Sequence, residues 1–127
     1  MKYLSIEEIV AIHYQVVNIY GGSQGVRDFG LLHSAVERPK ASFGGNDLYD
    51  SIYAKAAALL HSLVMNHPFV DGNKRTAFVS VARFLAINNV LMTSDKEKVI
   101  QLILKIEKEK LSIKDISLWL QENSKKS

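Results

Sequence analysis

Nine consecutive residues, from 67 to 75, bring an imidazole, a carboxylate and two cations together around residues typical of turns. The segment reads HisProPheValAspGlyAsnLysArg. Pro68 disfavours a helical backbone at His67, so the imidazole should stand outside the preceding helix. A histidine placed there could accept a proton from a hydroxyl that attacks a phosphorus atom. His67 is therefore the candidate general base.

The second half of this segment has the composition of an anion site. Asp71 falls where a helix N-cap is expected, and Gly72 and Asn73 tolerate backbone angles that point successive N–H groups at one ligand. Lys74 and Arg75 follow in the first helical turn, where the helix dipole makes each cation unfavourable by ~0.3–1 kcal/mol. A bound polyphosphate would reverse that cost. Asp71 could also offer a carboxylate to Mg²⁺.

Each of these residues alone also has an ordinary structural explanation. A histidine in a turn is often structural, Asp71 could only cap a helix, and a lone Lys-Arg pair is usually solvated. The whole cluster within nine residues favours a functional site. The other three histidines lie in helical patterns with no matching partners, and we predict structural roles for them: His13, His33 and His61.

The apolar pattern places this turn between two helices in the centre of the domain. Eleven of the fifteen residues from 51 to 65 are apolar, and the segment from about Asn73 to Ile87 is apolar around most of its circumference. A surface helix has only one apolar face, so both segments should be buried. Phe69 should anchor the turn between them in the core.

Four further helices should surround this pair. Capping residues and helix breakers predict their boundaries: Ser5 with Glu8 to Gly21-Gly22, about Gly30 to Arg38 before Pro39, Ser94 to near Lys108, and Ser112 with Asp115 onward. The last of these carries Trp119, which we expect to pack on the bundle. The segment from 41 to 47 has no period and should be an exposed loop that forms at most a β-hairpin. We predict an all-α bundle of about six helices.

The composition limits the class of protein. A length of 127 residues fits one domain, residues 1–127, with 47% hydrophobic and 23% charged residues. No apolar run reaches the ~18 residues of a membrane span, and the N-terminal MKYLSIEEIV does not fit a signal peptide. The absence of cysteine excludes disulfides and thiol catalysis. A net charge of +3 with intermixed acids predicts no direct nucleic-acid binding. We expect a soluble, cytoplasmic protein.

The turn resembles the signature of the Fic/Doc family, HxFx(D/E)GNGRxxR, and the Doc (death on curing) branch in particular. The matching residues are His67, Phe69, Asp71, Gly72, Asn73 and Arg75. Segments 27–32, 37–39 and 43–49 also resemble Doc sequence, so the resemblance covers most of residues 3 to 90. It implies a compact helical fold and transfer of part of a nucleotide to a protein hydroxyl.

Two departures from the broader pattern narrow the implied reaction. Lys74 stands where the family has a second glycine, and Phe78 stands where it has a final arginine. The Doc branch shares the lysine, and resemblance to it implies that ATP binds reversed and presents its γ-phosphate. The implied reaction is phosphorylation of a threonine of elongation factor Tu, which halts translation.

The same resemblance assigns a role to each matching residue. His67 would be the general base, Asp71 would help to hold Mg²⁺, and Gly72 and Asn73 would bind the phosphates of ATP. Lys74 and Arg75 would neutralise charge on the transferred group. The loop from 43 to 47 corresponds to the family's flap, which aligns a target segment by strand-like pairing.

The inhibitory pattern of many family members, (S/T)xxxE(G/N), is absent. Only Thr93 has a glutamate four residues later, and Lys98 follows that glutamate. A separate antitoxin that resembles the Phd type is therefore expected to cover the site. Two alternatives remain open: transfer of AMP or another nucleotide moiety, and a catalytically inactive binding scaffold.

Overall fold

The computed structural model describes all 127 residues and confirms a helical bundle with six α-helices. Their bounds, with those of four short strands, are α1 Ile6–Tyr20, α2 Phe29–Glu37, β1 Ser42–Phe43, β2 Asn46–Asp47, α3 Ile52–Asn66, α4 Asn73–Ile87, β3 Val90–Met92, α5 Lys96–Glu109, α6 Ile113–Glu122 and β4 Ser124–Lys126. No helix is both long enough and apolar enough to cross a membrane.

The first two helices begin at side-chain caps. Ser5 and Glu8 form the predicted capping box at the start of α1. The second helix begins slightly earlier than predicted, because the Asp28 carboxylate accepts a hydrogen bond from the Leu31 N–H. Pro39 does not stop the helical path at once: residues Arg38–Lys40 form one 3₁₀ turn with the proline near its start, where its missing N–H is not needed.

The segment after Pro39 forms the small hairpin that the sequence allowed. β1 and β2 pair antiparallel, with Ser42 opposite Asp47 and Phe43 opposite Asn46. Gly44 and Gly45 connect them with φ of 59° and 83°, the positive values that a tight two-residue hairpin turn requires. All four strand residues are exposed, so nothing covers this hairpin.

The centre of the bundle is formed by α3 and α4, as their apolar composition predicted. α3 packs against α2, α4, α5 and α6, and α4 also packs against α1. Twenty-three buried apolar residues form one connected core. Trp119 is partly buried against this core, which confirms that α6 packs on the bundle.

The C-terminal part contains one wrong cap and one unpredicted sheet. Asp95, and not Ser94, caps α5 by accepting from the Lys98 N–H, while the Ser94 hydroxyl donates to Asn123 Oδ1. The predicted start of α6 at Ser112 is correct. β3 and β4 pair antiparallel, Val90 with Lys126 and Met92 with Ser124, and so bring the C-terminus beside the end of α4.

Candidate active site

The loop that connects α1 to α2 fixes the turn between α3 and α4 by hydrogen bonds. His67 ends α3 in the left-handed conformation, with φ 47° and ψ 57°, and its side chain is 48% exposed. The Arg27 guanidinium donates to the carbonyls of His67 and Asn66, at 2.7 and 2.8 Å. The Pro68 carbonyl accepts two backbone N–H groups from the same loop. His67 thus lies outside the helix, as the following proline predicted.

Phe69 anchors the turn in the core as predicted, with 1% of its surface exposed. The Asn73 side chain fixes its backbone: Oδ1 accepts from the Phe69 N–H and Nδ2 donates to the Phe69 carbonyl, both at 2.9 Å. The Asn73 amide is therefore committed to the turn. The main-chain N–H of Asn73 and the second N–H of its Nδ2 make no hydrogen bond within the protein.

Asp71 does not cap α4, contrary to the prediction. Gly72 occupies the N-cap position with φ 72°, and no side chain caps the helix. The Asp71 carboxylate instead accepts from the Ser23 N–H at 3.2 Å, because the α1–α2 loop brings this donor close. The same loop comes so near that a Cβ added to Gly22 would lie 3.2 Å from Asp71 Oδ2.

His13 has a partner that the sequence did not reveal. Its Nε2 lies 2.7 Å from the Asp71 carbonyl oxygen, and its ring stacks on Phe69 with centroids 3.8 Å apart. His61 also has partners, since Nδ1 lies 3.1 Å from the Arg38 guanidinium. Burial and the Arg38 charge lower the pKa of His61. The expectation that these two histidines lack matching partners was wrong.

Lys74 and Arg75 are neighbours in sequence but reach different partners. Lys74 Nζ lies 3.1 Å from Glu107 Oε1, and the other oxygen of that carboxylate lies 3.6 Å from His67 Nε2. Arg75 stacks on Tyr20, with its guanidinium carbon 3.7 Å from the ring centroid. His67 and Lys74 therefore approach one carboxylate, while Arg75 lies against an aromatic ring.

Sequence reasoning missed three residues of the site, namely Glu107, Tyr20 and Lys96. Lys96 Nζ lies 5.4 Å from the Tyr20 ring centroid, beside Arg75. A signal existed for Glu107, because it continues the helical spacing of Val99 and Ile103, which face the core. An acid that continues an apolar stripe indicates a residue that faces a neighbouring helix.

These side chains line one groove with a cavity volume of about 600 Å³, within the range of small-molecule sites. Its walls come from the α3–α4 turn, α4 and α5. The lining residues include His67, Asp71, Gly72, Asn73, Lys74, Arg75, Phe78, Val79, Val99, Ile100, Ile103, Leu104 and Glu107, together with Tyr20 and Lys96. The groove thus contains every residue predicted for the site. Phe78, in the position of the family's final arginine, contributes apolar wall, and the β1–β2 hairpin does not border the groove.

The donors in the groove fit a magnesium nucleotide. The N–H groups of Asn73, Lys74 and Arg75 have no hydrogen-bond partner at the start of α4, where the helix dipole favours an anion. Asp71 keeps one carboxylate oxygen free of hydrogen bonds. A single carboxylate together with phosphate oxygens and waters is the ligand set that Mg²⁺ commonly takes.

Comparison with known proteins agrees with this site. The sequence model of the Fic/DOC family matches residues 3–85. "Toxin Doc" of Mycolicibacterium smegmatis is 53% identical over 76 residues, which are 60% of this chain and 58% of that protein. "Protein kinase doc" of Escherichia phage P1 is 32% identical over 97 residues, 76% of each chain. The chain thus spans less than two thirds of the length of the first of these relatives. The matches confirm the resemblance carried by the α3–α4 turn.

Proposed function

Because this chain belongs to the Fic/DOC family, we propose that it is a Doc-type toxin that transfers the γ-phosphate of ATP to a protein hydroxyl. The observation that supports phosphate transfer is the position of Lys74, whose ammonium lies in the groove and approaches the same carboxylate as His67. A phosphate could therefore reach both side chains at once. With a glycine at position 74, a phosphate beside His67 would lack the positive charge that the Lys74 ammonium supplies.

In this reaction His67 accepts the proton of the attacking hydroxyl. The hydroxyl oxygen forms a bond to the γ-phosphorus, while the bond from that phosphorus to the β–γ bridging oxygen breaks and ADP leaves. Lys74 and Arg75 offset the negative charge on the phosphates, which is the main protein contribution to phosphoryl transfer. Asp71 would hold Mg²⁺, which when bound would neutralise further phosphate charge.

The target that the family resemblance implies is a threonine of elongation factor Tu. The test is intact mass spectrometry of elongation factor Tu after incubation with this protein, Mg²⁺ and ATP. We expect a phosphate-sized increment with the wild type and with His33→Ala, an exposed histidine on α2. We expect no increment with His67→Ala. An increment that persists in His67→Ala would contradict the role of His67, and its absence with the wild type would contradict the target.

Transfer of AMP is the second candidate activity. It is supported by the left-handed Gly72 and by the unpaired N–H groups that follow it, which suit phosphates in either orientation of the nucleotide. Lys74→Gly separates the two activities. Under phosphate transfer this variant loses phosphorylation and gains room for AMP transfer. An AMP-sized increment with the wild type would instead favour nucleotidyl transfer.

An inactive scaffold is the alternative outside catalysis. A ligand that binds only the native state raises its melting temperature. We expect millimolar ATP with Mg²⁺ to raise the Tm of the wild type. No change in Tm would favour the scaffold, because the groove would then not bind the nucleotide.

We also propose an antitoxin partner of the Phd type that covers the groove. Support comes from the apolar wall that continues from the site along α4 and α5, formed by Phe78, Val79, Ile100 and Leu104. An amphipathic segment could bury its apolar face there. Expression of the wild type alone should slow growth, and expression of His67→Ala should not. Co-expression of the antitoxin should restore growth, and equal growth with both variants alone would contradict the toxin.

A further inference from the structure

We propose that His13, buried on α1, is a positioning residue that directs the Gly72 N–H towards the phosphate groove by holding the Asp71 carbonyl. This role rests on the proposed function for its effect on catalysis, but it has structural consequences of its own. His13 does not line the groove, and the reaction proposed above does not use it.

The direction of the hydrogen bond follows from the partners. A carbonyl oxygen can only accept, so His13 Nε2 must carry the proton and donate it to Asp71 across 2.7 Å. His13 is 3% exposed, so water cannot readily replace this donor. Loss of the donor would leave the Asp71 carbonyl without this partner at a part-buried position, which is unfavourable.

Because the peptide bond is planar, the orientation of the Asp71 carbonyl determines the orientation of the Gly72 N–H. In a trans peptide the C=O and the following N–H point in opposite directions. The Asp71 carbonyl points inward to His13, and the Gly72 N–H therefore points away from it. That N–H makes no hydrogen bond within the protein, and Gly72 lines the groove. The Gly72 N–H thus joins the unpaired N–H groups at the start of α4.

A second contact of His13 fixes the other side of the turn. The imidazole ring stacks on Phe69 with an interplanar angle of 7°, and the Asn73 side chain holds the Phe69 backbone. His13 therefore contacts two residues of the turn, by stacking on Phe69 and by hydrogen bonding to Asp71. Only the second contact orients the Asp71–Gly72 peptide.

Two variants of His13 separate these contacts. His13→Phe keeps a flat ring to stack on Phe69 and loses the donor. His13→Gln loses the ring and keeps an N–H that can reach the Asp71 carbonyl. His33→Phe, on the exposed face of α2, is the matched control. Tm measures packing, and titration with ATP and Mg²⁺ measures the groove.

We expect His13→Phe to bind the nucleotide about 10-fold more weakly, the cost of one misdirected hydrogen bond, while its Tm falls only by the few degrees that one unpartnered carbonyl costs. Its kcat for phosphate transfer should fall by about 10–100-fold. His13→Gln should have the lower Tm but retain nucleotide affinity within about 3-fold. The opposite order, with His13→Phe normal and His13→Gln impaired in binding, would show that His13 acts only through packing.

A measurement without catalysis keeps the two proposals distinct. In the wild type, titration with inorganic triphosphate should shift the Gly72 amide signal in a ¹⁵N–¹H NMR spectrum, and His13→Phe should lose this shift while His13→Gln keeps it. If no phosphate is transferred to any protein but the Gly72 signal behaves as stated, the proposed function fails and the role of His13 stands. A Gly72 signal that does not respond in the wild type would overturn the role of His13.

Discussion

Basic side chains gather in two regions of this molecule, and they are partnered very differently. At the base of the β1–β2 hairpin, Arg38 donates to the Tyr49 hydroxyl and the Ser62 hydroxyl and lies beside His61. Lys55, 3% exposed, donates to the Asp47 carboxylate and the Pro39 carbonyl. The cations of this hairpin base are satisfied by protein groups.

The cations of the groove have few partners within the protein. Lys74 is 49% exposed and pairs only with Glu107. Arg75 and Lys96 lie over the Tyr20 ring, and neither has an acid within ion-pair distance. The hairpin base therefore uses charge to stabilise the fold, whereas the groove keeps charge available for an anion. Substitutions in the two regions should therefore affect different measurements.

The largest effect on ligand binding is expected for Arg75→Ala. A charge-assisted hydrogen bond to phosphate contributes about 1.5–3 kcal/mol, so affinity for ATP with Mg²⁺ should fall by about 10–100-fold by calorimetry. The Tm should stay within about 2 °C of the wild type. Arg83→Ala, on the exposed side of the same helix, should leave affinity unchanged. A large loss of Tm in Arg75→Ala would break the distinction between the two regions.

For Lys55→Met we expect the opposite result, a loss of stability without a change in ligand binding. The methionine retains the apolar part of the side chain and loses two hydrogen bonds. Because Asp47 is exposed and solvent weakens its attraction to Lys55, the free energy of unfolding should fall by only about 1–2 kcal/mol. This corresponds to a Tm lower by roughly 3–8 °C. Affinity for ATP should be unchanged. Denaturant titration and calorimetry check the two halves of this prediction.

The pH dependence of Lys55 gives a second test of the hairpin base. Burial alone lowers the pKa of Lys55, but hydrogen bonding and attraction to Asp47 and Tyr3 outweigh it, and the net pKa is raised above 10.5. The stabilisation is therefore complete below pH 10.5 and is lost as the pH rises through the folded-state pKa. The stability difference between wild type and Lys55→Met should shrink above that pH. A constant difference would argue against the charge.

A smaller effect is expected for Glu107→Gln in the groove. A half-exposed ion pair contributes about 0–1 kcal/mol, and a phosphate must compete with this carboxylate for Lys74. Affinity for ATP should therefore rise by up to about 5-fold. Glu109→Gln, on the exposed side of α5, is the control. The gain should disappear in a Lys74→Ala background, and a gain that persists there would assign Glu107 to another partner.

Sequence alone was sufficient where local patterns decide the structure. The apolar content of α3 and α4 predicted their central position, and Pro68 predicted that His67 lies outside the helix. The cluster from 67 to 75 lies in one groove because its residues are close in sequence. The local chemistry of the turn fixes most of the candidate site.

The remaining contacts depend on distant packing and could not be predicted in this way. His13 and Asp71 are 58 residues apart, and Glu107 reaches Lys74 because α5, which packs against α3, lines the same groove as α4. Asp71 stands at the sequence position where an N-cap is expected, but its carboxylate accepts a hydrogen bond from the Ser23 N–H of a distant loop. The short β3 and β4 strands carry too few residues to show a period of two.

The smallest expected effect concerns His61 at the hairpin base. Burial and the nearby Arg38 charge lower the pKa of His61 from 6.5. Just below that pH, His61 is therefore protonated in the unfolded chain but still neutral in the folded protein. Stability should fall as the pH drops below about 6.5. His61→Gln keeps an acceptor for the Arg38 guanidinium and removes this titration. Between pH 7 and pH 5, the Tm of the wild type should therefore fall by about 1–3 °C more than the Tm of His61→Gln. The difference is small because His61 is only partly buried. An unchanged decline would show that His61 does not set the acid sensitivity of the fold.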